Sequence, residues 1–127
     1  MLLLDSSVLI DLEHELADRR VGEVRGFLAR HRGEDLACTT VTVGELASGS
    51  DEESLRFFLR RLRKIPLHEA IAYRAGALDR EMARGGKRLG ENDNWIAATA
   101  LHYSATLVHV DGDFRRVPGL KHHQIPG

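Results

Sequence analysis

Cysteine is nearly missing from this chain. Cys38 stands alone in 127 residues. No disulfide can form within the chain, and the composition fits a reducing cytosol better than a bridged, secreted scaffold. Long apolar runs are missing too. None approaches the roughly 20 residues that a membrane-spanning helix needs, so no membrane partner is expected. The opening Met1-Leu2-Leu3-Leu4-Asp5 has no basic stretch and meets a charge at once, so it does not read as a signal peptide. Internal repeats, low-complexity tracts and long linkers are absent as well. A single domain over residues 1–127 and a cytoplasmic location are the expectations. Net charge is also scarce, at −1, but it is unevenly spread. Residues 1–55 hold 12 acids and 5 bases, and residues 56–127 hold 7 acids and 13 bases. The basic second half could attract a polyanion, although helix surfaces carry such charge for solvation alone.

What is present alternates between strand-like and helix-like stretches. Leu2–Leu4 reads as a short buried strand ending at Asp5, with a helix starting at once and serines as cap candidates. A helix covers about Val21–His31, and Gly33 follows it. Leu36–Val41 reads as a strand. Thr42 and Glu45 form a capping box that starts a short helix, and Ser50 and Glu53 form another. The next helix puts Leu55, Phe58, Leu59 and Leu62 on one face and Arg56, Arg60, Arg63 and Lys64 on another. Ile65-Pro66-Leu67 is a short strand or turn. A longer helix spans 68–84, and Asn92 or Asp93 caps one running to about Tyr103. Thr106–Val110 and Lys121–Ile125 are further strands. This alternation predicts an α/β fold, with helices on both faces of a mainly parallel sheet.

Four acids occupy matched positions in that pattern. Asp5 and Asp111 follow strands directly, and Glu45 and Asp93 sit in first turns of helices. Asp113 is close behind Asp111. In a parallel sheet, strand carboxyl ends share one edge, where ligands bind. Crowded carboxylates repel unless a cation holds them. A hard ion, Mg²⁺ or Mn²⁺, suits an all-oxygen site, and metal-assisted phosphodiester hydrolysis is the reaction it suggests. Each acid also has a local reading. Glu45 fits its capping box, Asp93 fits a helix start, and Asp111 and Asp113 fit a turn around Gly112. Asp5 has the weakest local reading, because a charge after a buried strand needs a partner.

Four stretches carry a family resemblance: Leu3-Leu4-Asp5-Ser6-Ser7-Val8-Leu9-Ile10-Asp11, Thr42-Val43-Gly44-Glu45-Leu46, Asn92-Asp93-Asn94-Trp95-Ile96-Ala97-Ala98-Thr99-Ala100, and Ala105-Thr106-Leu107-Val108-His109-Val110-Asp111-Gly112-Asp113-Phe114 with Val117-Pro118-Gly119-Leu120 behind it. In this order they resemble PIN-domain ribonucleases, most closely the VapC-type toxins of toxin–antitoxin pairs. The resemblance implies a three-layer α/β/α sandwich and a Mg²⁺- or Mn²⁺-dependent endoribonuclease acting on tRNA or rRNA. It implies a VapB-like antitoxin partner and a homodimer. It maps Asp5, Glu45 and Asp93 onto the family's metal-site acids and Asp111 onto the fourth, with Asp113 as the alternative. Asp5 and Asp93 are the expected direct ligands. Two departures stand out. Ser6-Ser7 replaces the family's Thr-Asn, so Ser6 keeps a hydroxyl while Ser7 lacks the amide. His109 replaces a Thr or Ser.

Around this site, Ser6, Arg84, Lys87 and Arg88 are candidates for substrate contact. Trp95 reads as core or interface packing rather than a base-stacking residue. His122 and His123 point to opposite faces of a strand and make a poor chelating pair. An aspartyl-phosphate phosphohydrolase is disfavoured because position 7 lacks the second Asp. A catalytically inactive PIN-like binding module is the competing reading.

Overall fold

In the computed structural model, residues 1–126 are described. Five strands form one sheet: β1 (Leu2–Leu4), β2 (Leu36–Thr39), β3 (Arg63–Ile65), β4 (Thr106–His109) and β5 (His122–Gln124). Their order is β3-β2-β1-β4-β5, and every neighbouring pair is parallel. Six helices cover the sheet: α1 (Ser6–Ala17), α2 (Glu23–Arg30), α3 (Thr40–Ala47), α4 (Glu52–Phe58), α5 (Glu69–Arg84) and α6 (Glu91–Tyr103). A 3₁₀ turn spans Gly112–Arg116. The three-layer α/β/α architecture is the expected one.

The strand interior explains the layering. All three β1 residues are buried, as a central parallel strand requires. Side chains alternate across the sheet. Leu3, Ala37 and Leu107 share one register row and pack with α5 and α6. Leu2, Leu4, Cys38 and Val108 face the other way, against Val8, Leu9, Val24, Phe27 and Leu55 of α1, α2 and α4. Chain order reverses at β1, which sits between β2 and β4. Ligands in open parallel sheets bind beyond the carboxyl ends at such a reversal.

Several local boundaries differ from the sequence reading. β2 stops at Thr39, whose hydroxyl oxygen accepts from the Thr42 N–H and caps α3. Thr42 is therefore inside the helix rather than its cap, because the Thr39 backbone is already extended where the helix begins. Asp51, not Ser50, caps α4 by accepting from the Ser54 N–H. Helix α6 starts at Glu91 with Gly90 as its cap residue, so Asn92 and Asp93 lie inside the first turn. The basic stripe is not one helix face. Helix α4 ends at Phe58, and Arg63 and Lys64 belong to β3.

Two chain reversals rest on uncommon devices. Buried Glu15 of α1 accepts from the backbone N–H groups of Gly22, Val24 and Arg25 at 2.8–3.0 Å. It stands in for the side-chain cap that α2 lacks. A Cβ on Gly22 would lie 2.7 Å from the Glu15 carboxyl carbon, so only glycine permits this approach. Helix α6 ends in left-handed Ser104 (φ 51°), with the Ala105 N–H donating to the Ala100 carbonyl at 2.9 Å.

Candidate active site

Asp5 ends β1 and begins α1. Its backbone N–H donates to the Val108 carbonyl at 3.0 Å, tying it to β4 across the reversal. Its carbonyl accepts from the Leu9 N–H and opens the helix. The side chain is 4% exposed. Oδ2 accepts from the Ser7 hydroxyl at 2.9 Å, and Oδ1 is buried with no partner. Burial pushes its pKa up, against the pull of the Ser7 hydroxyl and the Ser6 amide, and the Glu45 charge adds to the rise.

Asp93 lies in the first turn of α6. Its pKa is pushed up to about 6, first by partial burial and then by the charges of Asp5, Asp111, Glu45 and Asp113. The carboxylates therefore act on one another at one end of the sheet, although they come from four separate stretches. Glu45 is exposed on α3 and shares a shallow surface with Gly90, Glu91, Asn92 and Asp93. Asp111 follows β4 and is exposed. Its Oδ1 accepts from the Asp113 N–H at 2.9 Å. Asp113 is paired with Arg116 at 3.4 Å.

The donor set fits a hard cation. It is all oxygen, it includes one buried oxygen with no protein partner, and neighbouring charges add to the raised pKa of Asp5 and Asp93. Among the described residues, no three His, Cys, Asp or Glu side chains close into a ready-made cage.

The other expected contacts divide. Ser7 holds Asp5, a role the sequence reading gave no credit because Ser7 is not an amide. A hydroxyl two residues after an N-cap Asp was the available signal. Ser6 bears on Asp5 through its backbone. Arg84 ends α5, and Lys87 follows in the connection to α6; both are exposed. Arg88 is held by Asp79 in two hydrogen bonds of 2.9 Å. Arg116, which no motif singles out, pairs with Asp113. His109 is fully buried, and Nε2 lies 2.9 Å from Nδ1 of His122. Burial, then His122, pushes its pKa down to about 4, which keeps it neutral. His123 instead packs on Phe27, on the other side of the sheet. Trp95 is half-buried against the core.

Known proteins are similar to this chain. The PIN domain family model matches residues 2–120. Ribonuclease VapC11 of Mycobacterium tuberculosis is 29% identical over 123 residues, covering 90% of this chain and 89% of that protein. A VapBC2 structure from Rickettsia felis, bound to a DNA fragment from its promoter, aligns with a TM-score of 0.82. It is 23% identical and covers 98% of each chain. A toxin–antitoxin complex from Klebsiella pneumoniae aligns with a TM-score of 0.74 at 26% identity, over 94% of this chain and 95% of that one. With the family model spanning almost its whole length, and with its acids gathered at the sheet reversal, this chain belongs to the PIN-domain family.

Proposed function

We propose that this chain is a single-domain, divalent-metal-dependent endoribonuclease of the VapC type, a toxin held in check by a VapB-like antitoxin. The gathering of Asp5, Glu45, Asp93 and Asp111 at the sheet reversal, with Asp93 raised by its neighbours' charges, carries this reading. The names of the relatives, ribonuclease and toxin–antitoxin complex, support it.

Asp5, Asp93 and Asp111 would hold Mg²⁺ or Mn²⁺. The pairing of Asp113 with Arg116 favours Asp111 as the fourth acid. A cation held there would lower the pKa of a bound water and offset charge building on the phosphate oxygens. Ser7 fixes the rotation of the Asp5 carboxylate. Exposed Glu45 accepts a hydrogen bond from the attacking water and orients it. Ser6, Arg84, Lys87 and Arg88 contact the RNA near the reacting phosphate. The substrate is a structured RNA of the tRNA or rRNA kind, and the enzyme works as a cytoplasmic homodimer. No helix is long and apolar enough to cross a membrane among the described residues.

The test is cleavage of total RNA by the purified, antitoxin-free protein in Mn²⁺, Mg²⁺ or EDTA, with Asp5→Asn alongside. Discrete fragments that need metal and vanish in the variant are expected. Equal cleavage by Asp5→Asn would remove Asp5 from the site. The open spacing of the carboxylates favours a second reading, a catalytically inactive binding module. Binding of RNA without metal uptake or cleavage would favour that module.

A further inference from the structure

Strand β5 contributes no acid to the site, yet its side chains converge on the segment that carries Asp111. His122 and Gln124 lie two residues apart, on one face of the strand. In the parallel register they stand opposite Leu107 and His109 of β4. His122 Nδ1 lies 2.9 Å from Nε2 of His109. One nitrogen donates and the other accepts, so two neutral imidazoles satisfy the bond. Gln124 Nε2 donates to the Val110 carbonyl at 3.0 Å, one residue before Asp111. The Ile125 N–H donates to the His109 carbonyl at 2.7 Å. Strand β4 ends at His109, so the Gln124 amide reaches past the end of that strand.

His109 passes this hold on to the turn. It is fully buried, and the ring of Phe114 packs on it with centroids 5.0 Å apart. Phe114 is the buried residue of the 3₁₀ turn Gly112–Arg116. The Asp111 backbone is close enough to the imidazole to act on it, yet Nδ1 makes no hydrogen bond. The bond to His122 is thus the polar contact that sets the rotation of the ring. A ring nitrogen that lost it would be left unpaired in the core, which favours rotation toward another partner. Asp111 caps the same turn, its Oδ1 accepting from the Asp113 N–H at 2.9 Å, and its charge reaches Asp93.

We infer that His122 is a positioning residue for the proposed metal site: it fixes the His109 ring, and through that ring the turn that presents Asp111, with Gln124 as a second strap on the same segment. The inference rests on the metal-site reading. The backbone ladder alone keeps β5 beside β4. The two side chains add a hold on the residues that follow the ladder, and Asp111 is among them.

Two measurements on the full chain test this, with His122→Ala and His122→Asn. Asparagine carries a polar atom one bond from Cγ, as Nδ1 does, so it can keep the contact with His109. The first is the ¹⁵N NMR order parameter of the Gly112 and Asp113 amides in EDTA. Values near ~0.85 are expected for wild type, falling toward ~0.6 in His122→Ala, with most of the loss recovered in His122→Asn. The second is Mn²⁺ affinity by calorimetry, with His122→Ala placed in wild type and in Asp111→Asn. A loss of about tenfold is expected in wild type, and no further loss in Asp111→Asn, because the effect runs through Asp111. A turn that stays rigid in His122→Ala, an unchanged affinity, or an equal loss in both backgrounds overturns the inference and leaves the metal site standing. If Asp111→Asn alone binds Mn²⁺ like wild type, Asp111 is no ligand and the inference falls while Asp5 and Asp93 remain. Wild type that takes up no Mn²⁺ removes the metal-site reading and the inference with it.

Discussion

The Ser7 hydroxyl donates to Oδ2 of Asp5 at 2.9 Å and leaves Oδ1 of the same carboxylate buried and free. One oxygen is positioned by the protein, and the other has no protein partner. Groups that orient a metal ligand typically change affinity 10–100-fold when removed. Ser7→Ala should weaken Mn²⁺ binding about tenfold with little change in melting temperature. Calorimetric titration of the metal checks this. Unchanged affinity would make Ser7 a helix-start residue only.

The raised pKa of Asp93 has a sign that can be tested. Its folded value is about 6, against 3.8 for the ordinary group. The folded state thus holds the proton more tightly than the unfolded chain. Its contribution to metal-free stability is full below pH 3.8 and is lost as pH rises through about 6. The loss is about 1–2 kcal/mol once screening of this half-buried group is allowed for. Asp93→Asn should therefore melt higher than wild type at pH 7.5 in EDTA, and the gap should close by about pH 4.

Glu15 behaves in the opposite sense. Burial alone would raise its pKa, but the Arg25, Val24 and Gly22 N–H groups lower it below 4.5. It stabilises the fold above the unfolded value, and that stability is lost as pH falls through the folded one. Glu15→Gln should cost about 2 kcal/mol in urea unfolding at pH 7. Gly22→Ala should lose a similar amount by pushing the carboxylate away.

Ser104 takes a backbone conformation that costs an L residue roughly 1 kcal/mol and glycine little. Ser104→Gly should raise the melting temperature by a few degrees and leave RNA cleavage unchanged. A drop would mean that the loss of unfolded-state restriction outweighs the relieved strain.

Much of this was legible in the chain because it rests on local rules. Leu2–Leu4 had to be a buried strand, so Asp5 had to stand at a sheet edge. The same holds for Leu107–Val110 and Asp111. Less legible were features set by tertiary contact. Thr39 rather than Thr42 caps α3, because the point where β2 yields to α3 depends on pairing with β1 and β3. The α5–α6 hairpin breaks the simple strand–helix alternation, and it brings the start of α6 to the acid edge without a preceding strand. No motif or periodicity in the sequence singles out Glu15. Its role needs α2 folded back on α1, which no spacing in the sequence reports. Trp95 reads as packing from the sequence and does pack, but only the folded hairpin reveals a cavity beside it.

The proposed cation site of four carboxylates carries the repulsion of its charges until a metal binds. Thermal unfolding at pH 7.5 with Mn²⁺ added stepwise, for wild type and Asp93→Asn, tests it most directly. A ligand that binds only the folded state raises the melting temperature with its concentration. A saturable rise is expected for wild type and a flat response for Asp93→Asn, which starts higher. Equal rises in both proteins, or none in either, would contradict it.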